Sequence, residues 1–192
     1  MKRAVILHGT GSSPEADWHP WLRRLLVSNG YVVLHPQLPN QDRQNRFINN
    51  DYLFSQPWNY QDNLIIGHSS GSTTVLNLLA DERCPDVKAV VLIGAYVHFD
   101  PDFERRLGFD PSQFEGLFDN NGFNKDVILQ KCPKILLLHG DDDPLCPLSF
   151  VEKFSEAYGG KLRVVPGGKH LRGESLQEIP ELEELLADEG IL

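Results

Sequence analysis

The residues with the clearest chemical potential lie in the run Gly67-His68-Ser69-Ser70-Gly71, which matches the pattern G-x-S-x-G. Apolar residues 63–66 precede it, and a helix-like stretch, 70–81, overlaps its end. A serine in a tight strand-to-helix turn can project its hydroxyl towards a carbonyl carbon, and glycines two residues away on each side avoid steric collisions. The pattern therefore predicts that Ser69 is a nucleophile. Ser70 and Ser72 are weaker candidates because neither lies between glycines at this spacing.

Such a serine needs a base, and the base needs an acid that orients it. The run 139–147, His-Gly-Asp-Asp-Asp-Pro-Leu-Cys-Pro, follows apolar residues 134–138. In a parallel sheet the ends of all strands on one edge face the same crevice. The run matches the pattern H-G-x-x-D-x-x-[V/C]-P, in which the acid is the third residue after the glycine, and this selects Asp143. Asp142 remains the alternative, and Asp141 is expected to cap the turn.

The base is predicted to be His170, which ends the run Gly167-Gly168-Lys169-His170 after apolar residues 162–165. Of the seven histidines, it is the one that follows both the serine and the acid. The chain order Ser69, Asp143, His170 is the order of α/β-hydrolases. His68 adjoins the nucleophile and could line a pocket, but nothing in the sequence gives it a chemical role. Because no two histidines have metal-ligand spacing on one element, we predict no metal and no cofactor.

The first apolar run is followed by His8-Gly9-Thr10-Gly11. A tetrahedral oxyanion in this fold is held by two backbone N–H groups, one from the residue after the nucleophile and one from the loop after an early strand. We expect the backbone N–H groups of Ser70 and Thr10 to be these two donors. The loop lacks both G-x-x-x-x-G-K-[ST] and G-x-G-x-x-G, which argues against nucleotide binding.

Six short apolar runs, without polar alternation, indicate parallel strands buried on both faces: residues 4–7, 31–34, 63–66, 89–93, 134–138 and 162–165. Helix-like stretches lie between or after them at 17–28, 70–81, 148–158 and 176–187. This alternation predicts a three-layer α/β/α sandwich formed by a single domain, residues 1–192. The polar segment 37–60 is expected to hold one helix around 41–50. Segment 96–131 is too short for a large cap domain. We expect its phenylalanines to form one wall of a substrate pocket together with Trp58; the alternative is that these aromatic residues only pack the segment onto the sheet.

A formal charge of −9 argues against nucleic acid as a partner, because phosphate binding requires clustered Lys and Arg. No apolar run approaches the roughly 20 residues of a membrane span. The apolar start, residues 4–7, is too short for a signal peptide and has no cleavage site, so we expect a cytoplasmic protein. The three cysteines are an odd number without C-x-x-C spacing, which disfavours a disulfide framework or a zinc site.

The whole chain resembles the RBBP9/YdeN family of small serine hydrolases. The resemblance rests on Val5-Ile6-Leu7-His8-Gly9, Trp18-His19-Pro20-Trp21-Leu22, residues 65–71, Cys132-Pro133-Lys134-Ile135, Asp142-Asp143-Pro144 and Gly168-Lys169-His170. It implies a nearly cap-less α/β-hydrolase fold with a shortened, mostly parallel sheet of about six strands, and a triad of Ser69, Asp143 and His170.

The function expected from these features is hydrolysis of a small carboxylic ester or related acyl substrate through an acyl-enzyme on Ser69. Two alternatives remain open: an acyltransferase or peptidase using the same triad, and a non-catalytic interaction module on the same fold. The sequence does not indicate an oligomeric state.

Overall fold

A six-stranded sheet runs through the centre of the computed structural model, which describes residues 1–40, 43–119 and 122–192. Every neighbouring pair of strands is parallel, and the strand order is β2-β1-β3-β4-β5-β6. The strands are β1 (Lys2–Leu7), β2 (Tyr31–Leu34), β3 (Leu64–His68), β4 (Ala89–Ile93), β5 (Ile135–Gly140) and β6 (Lys161–Val165). All six predicted strands are present, with ends that differ by at most two residues.

Helices follow most of the strands. They are α1 (His19–Ser28), α2 (Arg46–Ser55), α3 (Ser70–Ala80), α4 (Pro101–Arg106), α5 (Lys125–Lys131), α6 (Leu148–Tyr158) and α7 (Pro180–Asp188). Two 3-10 turns, Pro111–Gln113 and Glu115–Leu117, lie between α4 and α5. None of the helices in the described ranges has the length and apolar character that a membrane span requires.

The two faces of the sheet carry separate apolar cores, because successive side chains of a strand point in opposite directions. In β1, Ala4 and Ile6 pack with α1 and α7, whereas Val5 and Leu7 pack with α2, α3, α5 and α6. All four of these strand side chains are at most 1% exposed. Burial on both faces explains why the strands read as continuous apolar runs. The predicted three-layer α/β/α arrangement is confirmed.

Two of the predicted helices begin four or five residues later than expected. The helix expected around 41–50 is α2, Arg46–Ser55, which begins after Asn45 because that side chain accepts the N–H groups of Phe47 and Ile48. Gln41 and Asp42 lie outside the described residues. The helix expected at 176–187 begins only at Pro180, because a proline ring fits the first turn of a helix but not its interior.

The order of the strands reverses between β1 and β3, the point at which open parallel sheets form a crevice outside their carboxyl ends. The loops after β1, β3, β5 and β6 lie at this same edge. They carry Thr10, Ser69, Asp143 and His170 respectively. The topology therefore brings all four sequence-predicted segments to one end of the sheet.

Candidate active site

Ser69 occupies a strained turn between β3 and α3. Its backbone angles are φ 55° and ψ −124°, a conformation that non-glycine residues rarely adopt. Its N–H donates to the carbonyl of Ile93 at 2.9 Å, which ties the turn to the end of β4. A Cβ at Gly67 would lie 2.5 Å from the carbonyl oxygen of Gly71, and one at Gly71 would lie 2.3 Å from that of Leu7. The two glycines therefore permit the close packing that holds Ser69 in this geometry.

Asp143 and His170 form a buried hydrogen-bonded pair. His170 Nδ1 donates to Asp143 Oδ2 at 2.8 Å, and the two residues are 6% and 7% exposed respectively. The other carboxylate oxygen, Oδ1, accepts the N–H groups of Leu145 and Cys146 at 2.8 and 2.9 Å. A proton held on Nδ1 leaves Nε2 of His170 as the lone-pair nitrogen. The pair is thus arranged as an acid that fixes the tautomer of a base.

The two aspartates before Asp143 contact the same loop through its backbone. Asp141 Oδ1 accepts the N–H of Gly167 at 2.8 Å, and Asp142 Oδ1 accepts the N–H of Lys169 at 2.7 Å. The structure therefore brings Asp143, and not Asp142, to the imidazole of His170. Its two neighbours hold the loop that carries the imidazole, a role that the sequence analysis missed.

Two further histidines pack against this pair. His139 Nε2 donates to the carbonyl of Cys146 at 2.7 Å and lies 3.4 Å from Asp143 Oδ2, while its Nδ1 accepts the N–H of Ala95 at 3.2 Å. His68 Nε2 donates to the carbonyl of His170 at 3.0 Å. Burial lowers the pKa of both His68 and His139, so each is neutral near pH 7. They support the acid and the base without adding charge.

Ser69 and His170 line one cavity of about 90 Å³. Within the described residues, Ser69 Oγ makes no hydrogen bond to the imidazole of His170. In unliganded sites such contacts are often long and tighten when a substrate binds. The shared cavity is therefore compatible with proton transfer between the two side chains.

The oxyanion loop after β1 is tied to the start of α3. The Thr10 N–H, which was expected to face an oxyanion, donates to Ser70 Oγ at 2.9 Å, and the hydroxyls of the two residues lie 2.9 Å apart. The buried Gln44 donates from Nε2 to both hydroxyls, at 3.1 Å in the case of Ser70. The N–H of Ser70 is the first of α3, where helical N–H groups have no partner inside the helix. Sequence gave no indication of Gln44, which lies in a stretch rich in Asn and Gln.

Among the described residues, one group of three potential metal ligands has its ligand atoms within 4.8 Å of one another. It consists of Asp143, Cys146 and His170. Both oxygens of Asp143 already accept hydrogen bonds. Burial raises the pKa of the Cys146 thiol well above its ordinary value, which opposes the thiolate that metals bind. The arrangement favours a hydrogen-bonded acid–base pair over a metal centre.

A family model described as Serine hydrolase matches residues 4–188 of the chain. The chain belongs to the serine hydrolase family. This serine hydrolase is similar to YdeN of Bacillus subtilis (strain 168), with 22% identity over 189 residues that cover 96% of this chain and 94% of YdeN. The resemblance seen in the sequence is thereby confirmed.

Solved structures show the same fold. The crystal structure of the ydeN gene product from B. subtilis superposes with a TM-score of 0.83 at 19% identity and covers 98% of both chains. Est1E from Butyrivibrio proteoclasticus, solved with ferulic acid bound, gives a TM-score of 0.73 at 20% identity and covers 100% of this chain and 90% of that chain. At these identities the structural likenesses show the fold alone, that of the α/β hydrolases.

One wall of the cavity in this serine hydrolase is aromatic. Its lining includes Tyr96, Phe109 and Phe114, as expected for segment 96–131. Residues 120–121 of this segment lie outside the described ranges. Trp58 does not line the cavity; its indole donates to Asn63 Oδ1 and packs with the core on the α3 side of the sheet. The prediction that Trp58 forms part of the pocket wall was therefore wrong. Its indole N–H bonds Asn63, which lies at the end of β3 opposite to Ser69.

The same wall contains a buried carboxyl group that the sequence did not reveal. Glu104 is 3% exposed, and its Oε1 accepts the hydroxyl of Tyr96 at 2.7 Å. Desolvation raises the pKa of Glu104. The lining of the cavity thus includes a buried carboxyl group beside the aromatic rings.

Proposed function

We propose that this serine hydrolase is an esterase that cleaves small carboxylic esters through an acyl-enzyme on Ser69. The observation that carries the proposal is the buried Asp143–His170 hydrogen bond beside a strained Ser69, with the serine and the imidazole lining one cavity. The chain order of these residues and membership of the serine hydrolase family support it.

In the proposed reaction, Nε2 of His170 takes the proton of the Ser69 hydroxyl as its oxygen attacks the ester carbonyl. Asp143 remains ionised and stabilises the imidazolium. Ser70 and Thr10 hold the tetrahedral oxyanion. His170 then protonates the leaving alcohol, and a water molecule, activated by the same imidazole, releases the acid and restores Ser69.

The size of the cavity favours a small acyl group. Its volume of about 90 Å³ is well below the 300–1,000 Å³ of sites that enclose drug-sized ligands. The aromatic wall of Tyr96, Phe109 and Phe114 suits an apolar group. We therefore expect short-chain p-nitrophenyl esters to react with higher kcat/KM than long-chain ones, and a preference for long chains would contradict this assignment of the acyl pocket.

The nucleophile is tested by replacing Ser69 with alanine. We expect Ser69→Ala to abolish hydrolysis of p-nitrophenyl acetate and labelling by a fluorophosphonate probe. Ser72→Ala is the matched control, because Ser72 lies on the same helix with its hydroxyl bonded to the carbonyl of Gly67 at 2.8 Å. Full labelling of Ser69→Ala would refute the proposal.

The class of acyl transfer is tested on the unaltered protein. A panel of esters, thioesters and aminoacyl amides, with and without added alcohol acceptors, separates an esterase from a peptidase or an acyltransferase. We expect esters to be the best substrates and water to be the main acceptor. Faster turnover of amides, or dominant transfer to the alcohol, would assign the same residues to the other reaction.

A further inference from the structure

We infer that the side-chain hydroxyl of Thr10, and not its backbone N–H, donates to the oxyanion, and that Gln44 orients this hydroxyl. The inference rests on the proposed acyl-enzyme mechanism and specifies one atom of it. It follows from the number of hydrogen bonds that the side chains of Thr10, Ser70 and Gln44 can make.

The backbone N–H of Thr10 is already engaged. It donates to Ser70 Oγ at 2.9 Å, and that oxygen is itself held by Gln44 Nε2 at 3.1 Å and by contact with the Thr10 hydroxyl at 2.9 Å. Ser70 is 1% exposed, and it lies in the first turn of α3. Releasing the N–H for a substrate would break its bond to Ser70 Oγ, an oxygen that the other two contacts hold in place.

Counting protons identifies the hydrogen-bond donor that remains free for a substrate. A hydroxyl oxygen has two lone pairs and one proton. Both lone pairs of Ser70 Oγ are taken by the N–H groups of Thr10 and Gln44, so Ser70 must donate its proton to Thr10 Oγ1. Thr10 Oγ1 then accepts from Ser70 and from the second N–H of Gln44. Among the described residues, the Thr10 proton is the one donor of this network that has no acceptor.

Thr10 lies on the same cavity as the reacting serine. The residue before it, Gly9, packs against Ser69, because a Cβ on Gly9 would lie only 2.8 Å from Cβ and 3.4 Å from Oγ of Ser69. Arg172 fixes the loop from outside by donating to the carbonyls of Thr10 and Gly11 at 3.2 and 2.8 Å. A hydroxyl held in this way is preorganised to meet negative charge on a tetrahedral intermediate.

Thr10→Val separates the two donors, because valine keeps the backbone N–H and the shape of the side chain but lacks the hydroxyl. We expect kcat for p-nitrophenyl acetate to fall about 10²–10³-fold, the usual effect of losing one oxyanion donor. Thr10→Ser retains a hydroxyl and should recover most of this loss. Equal kcat in wild type and Thr10→Val would overturn the assignment, as would equal losses in Thr10→Val and Thr10→Ser variants whose circular dichroism is native.

Gln44 is a positioning residue, so its effect should depend on Thr10. We expect Gln44→Met to lower kcat about 10-fold with little change in KM, and to add nothing further in a Thr10→Val background. If the fold-losses in kcat of the two single variants multiplied in the double variant, the positioning role of Gln44 would be overturned.

Fluorophosphonate labelling distinguishes this inference from the proposed function. Thr10→Val should still be labelled at long times, since Ser69 and His170 are intact, whereas Ser69→Ala should not. Complete labelling of Thr10→Val together with unchanged kcat would refute the hydroxyl assignment and leave the nucleophile in place.

Discussion

Replacing Gly140 with alanine would press a methyl group into the loop that carries His170. Gly140 ends β5, and a Cβ on it would lie 2.1 Å from the carbonyl oxygen and 2.6 Å from the nitrogen of Lys169. Real Cβ atoms essentially never approach closer than 3.0 Å, so the loop must move by about 0.9 Å. Because both contacts are with backbone atoms, no change of rotamer can relieve them.

Such a shift should impair catalysis as well as stability. A misplacement of about 1 Å can lower the rate of a positioned reaction about 100-fold, and we expect this loss in kcat/KM for p-nitrophenyl acetate in Gly140→Ala. Overpacking in a close-packed region typically destabilises by about 1–3 kcal/mol, which urea unfolding would measure. His170 lies next to Lys169, so the displaced backbone carries the base with it.

Gly160→Ala is the matched control. Gly160 directly precedes β6 at the end of the sheet away from the site, and a Cβ there would lie 2.6 Å from Leu137 Cδ1, the tip of a side chain that can rotate. We expect a comparable or smaller loss of stability and full activity. If Gly140→Ala were as active as Gly160→Ala, the argument that the backbone of residues 167–170 sets the position of the base would be refuted.

Two other perturbations test the charge and protonation of buried groups. Asp143→Asn should lower kcat about 10⁴-fold, because an amide can donate to Nδ1 of His170 and favour the wrong tautomer; steady-state kinetics with native circular dichroism would check this, and near-normal kcat would contradict it. Burial lowers the pKa of His19 from 6.5 to about 4, so the unfolded chain binds its proton first as the pH falls. The free energy of unfolding should therefore decrease by about 3 kcal/mol through this group between pH 7 and pH 4. In His19→Phe, the decrease in the free energy of unfolding between pH 7 and pH 4 should be smaller by this amount, as measured by urea unfolding at both pH values. The same decrease in the variant and the wild type would contradict the prediction.

The strands were predictable because parallel strands buried on both faces leave an unambiguous apolar signature. The late start of α7 at Pro180 was missed, although a proline at the fifth position of the expected helix 176–187 is typical of a first turn. Segment 96–131 was not predictable: α4 is only six residues long, and the 3-10 turns are three residues each, too short to give a hydrophobic period.

The candidate site also contains residues that sequence could identify and residues that it could not. Ser69, Asp143 and His170 each follow a strand within a local motif, so sequence could select them and topology brought them to one edge. Gln44 and Glu104 carry no local motif. Gln44 contacts Ser70, 26 positions along the chain, whereas Glu104 contacts Tyr96 within the irregular segment 96–131. Neither contact has a periodicity or spacing that a sequence pattern could reveal.

The three cysteines have a practical consequence for spectroscopy of this molecule. Cys84, Cys132 and Cys146 are free and buried. Burial raises the pKa of Cys84 to about 12 and of Cys132 to about 11. Since thiolates rather than thiols react with maleimides, these sulfurs are poor targets at neutral pH. A single cysteine introduced on the surface could therefore carry a fluorophore or spin label while the native ones stay in place, and loop movements could be followed in an otherwise unaltered chain.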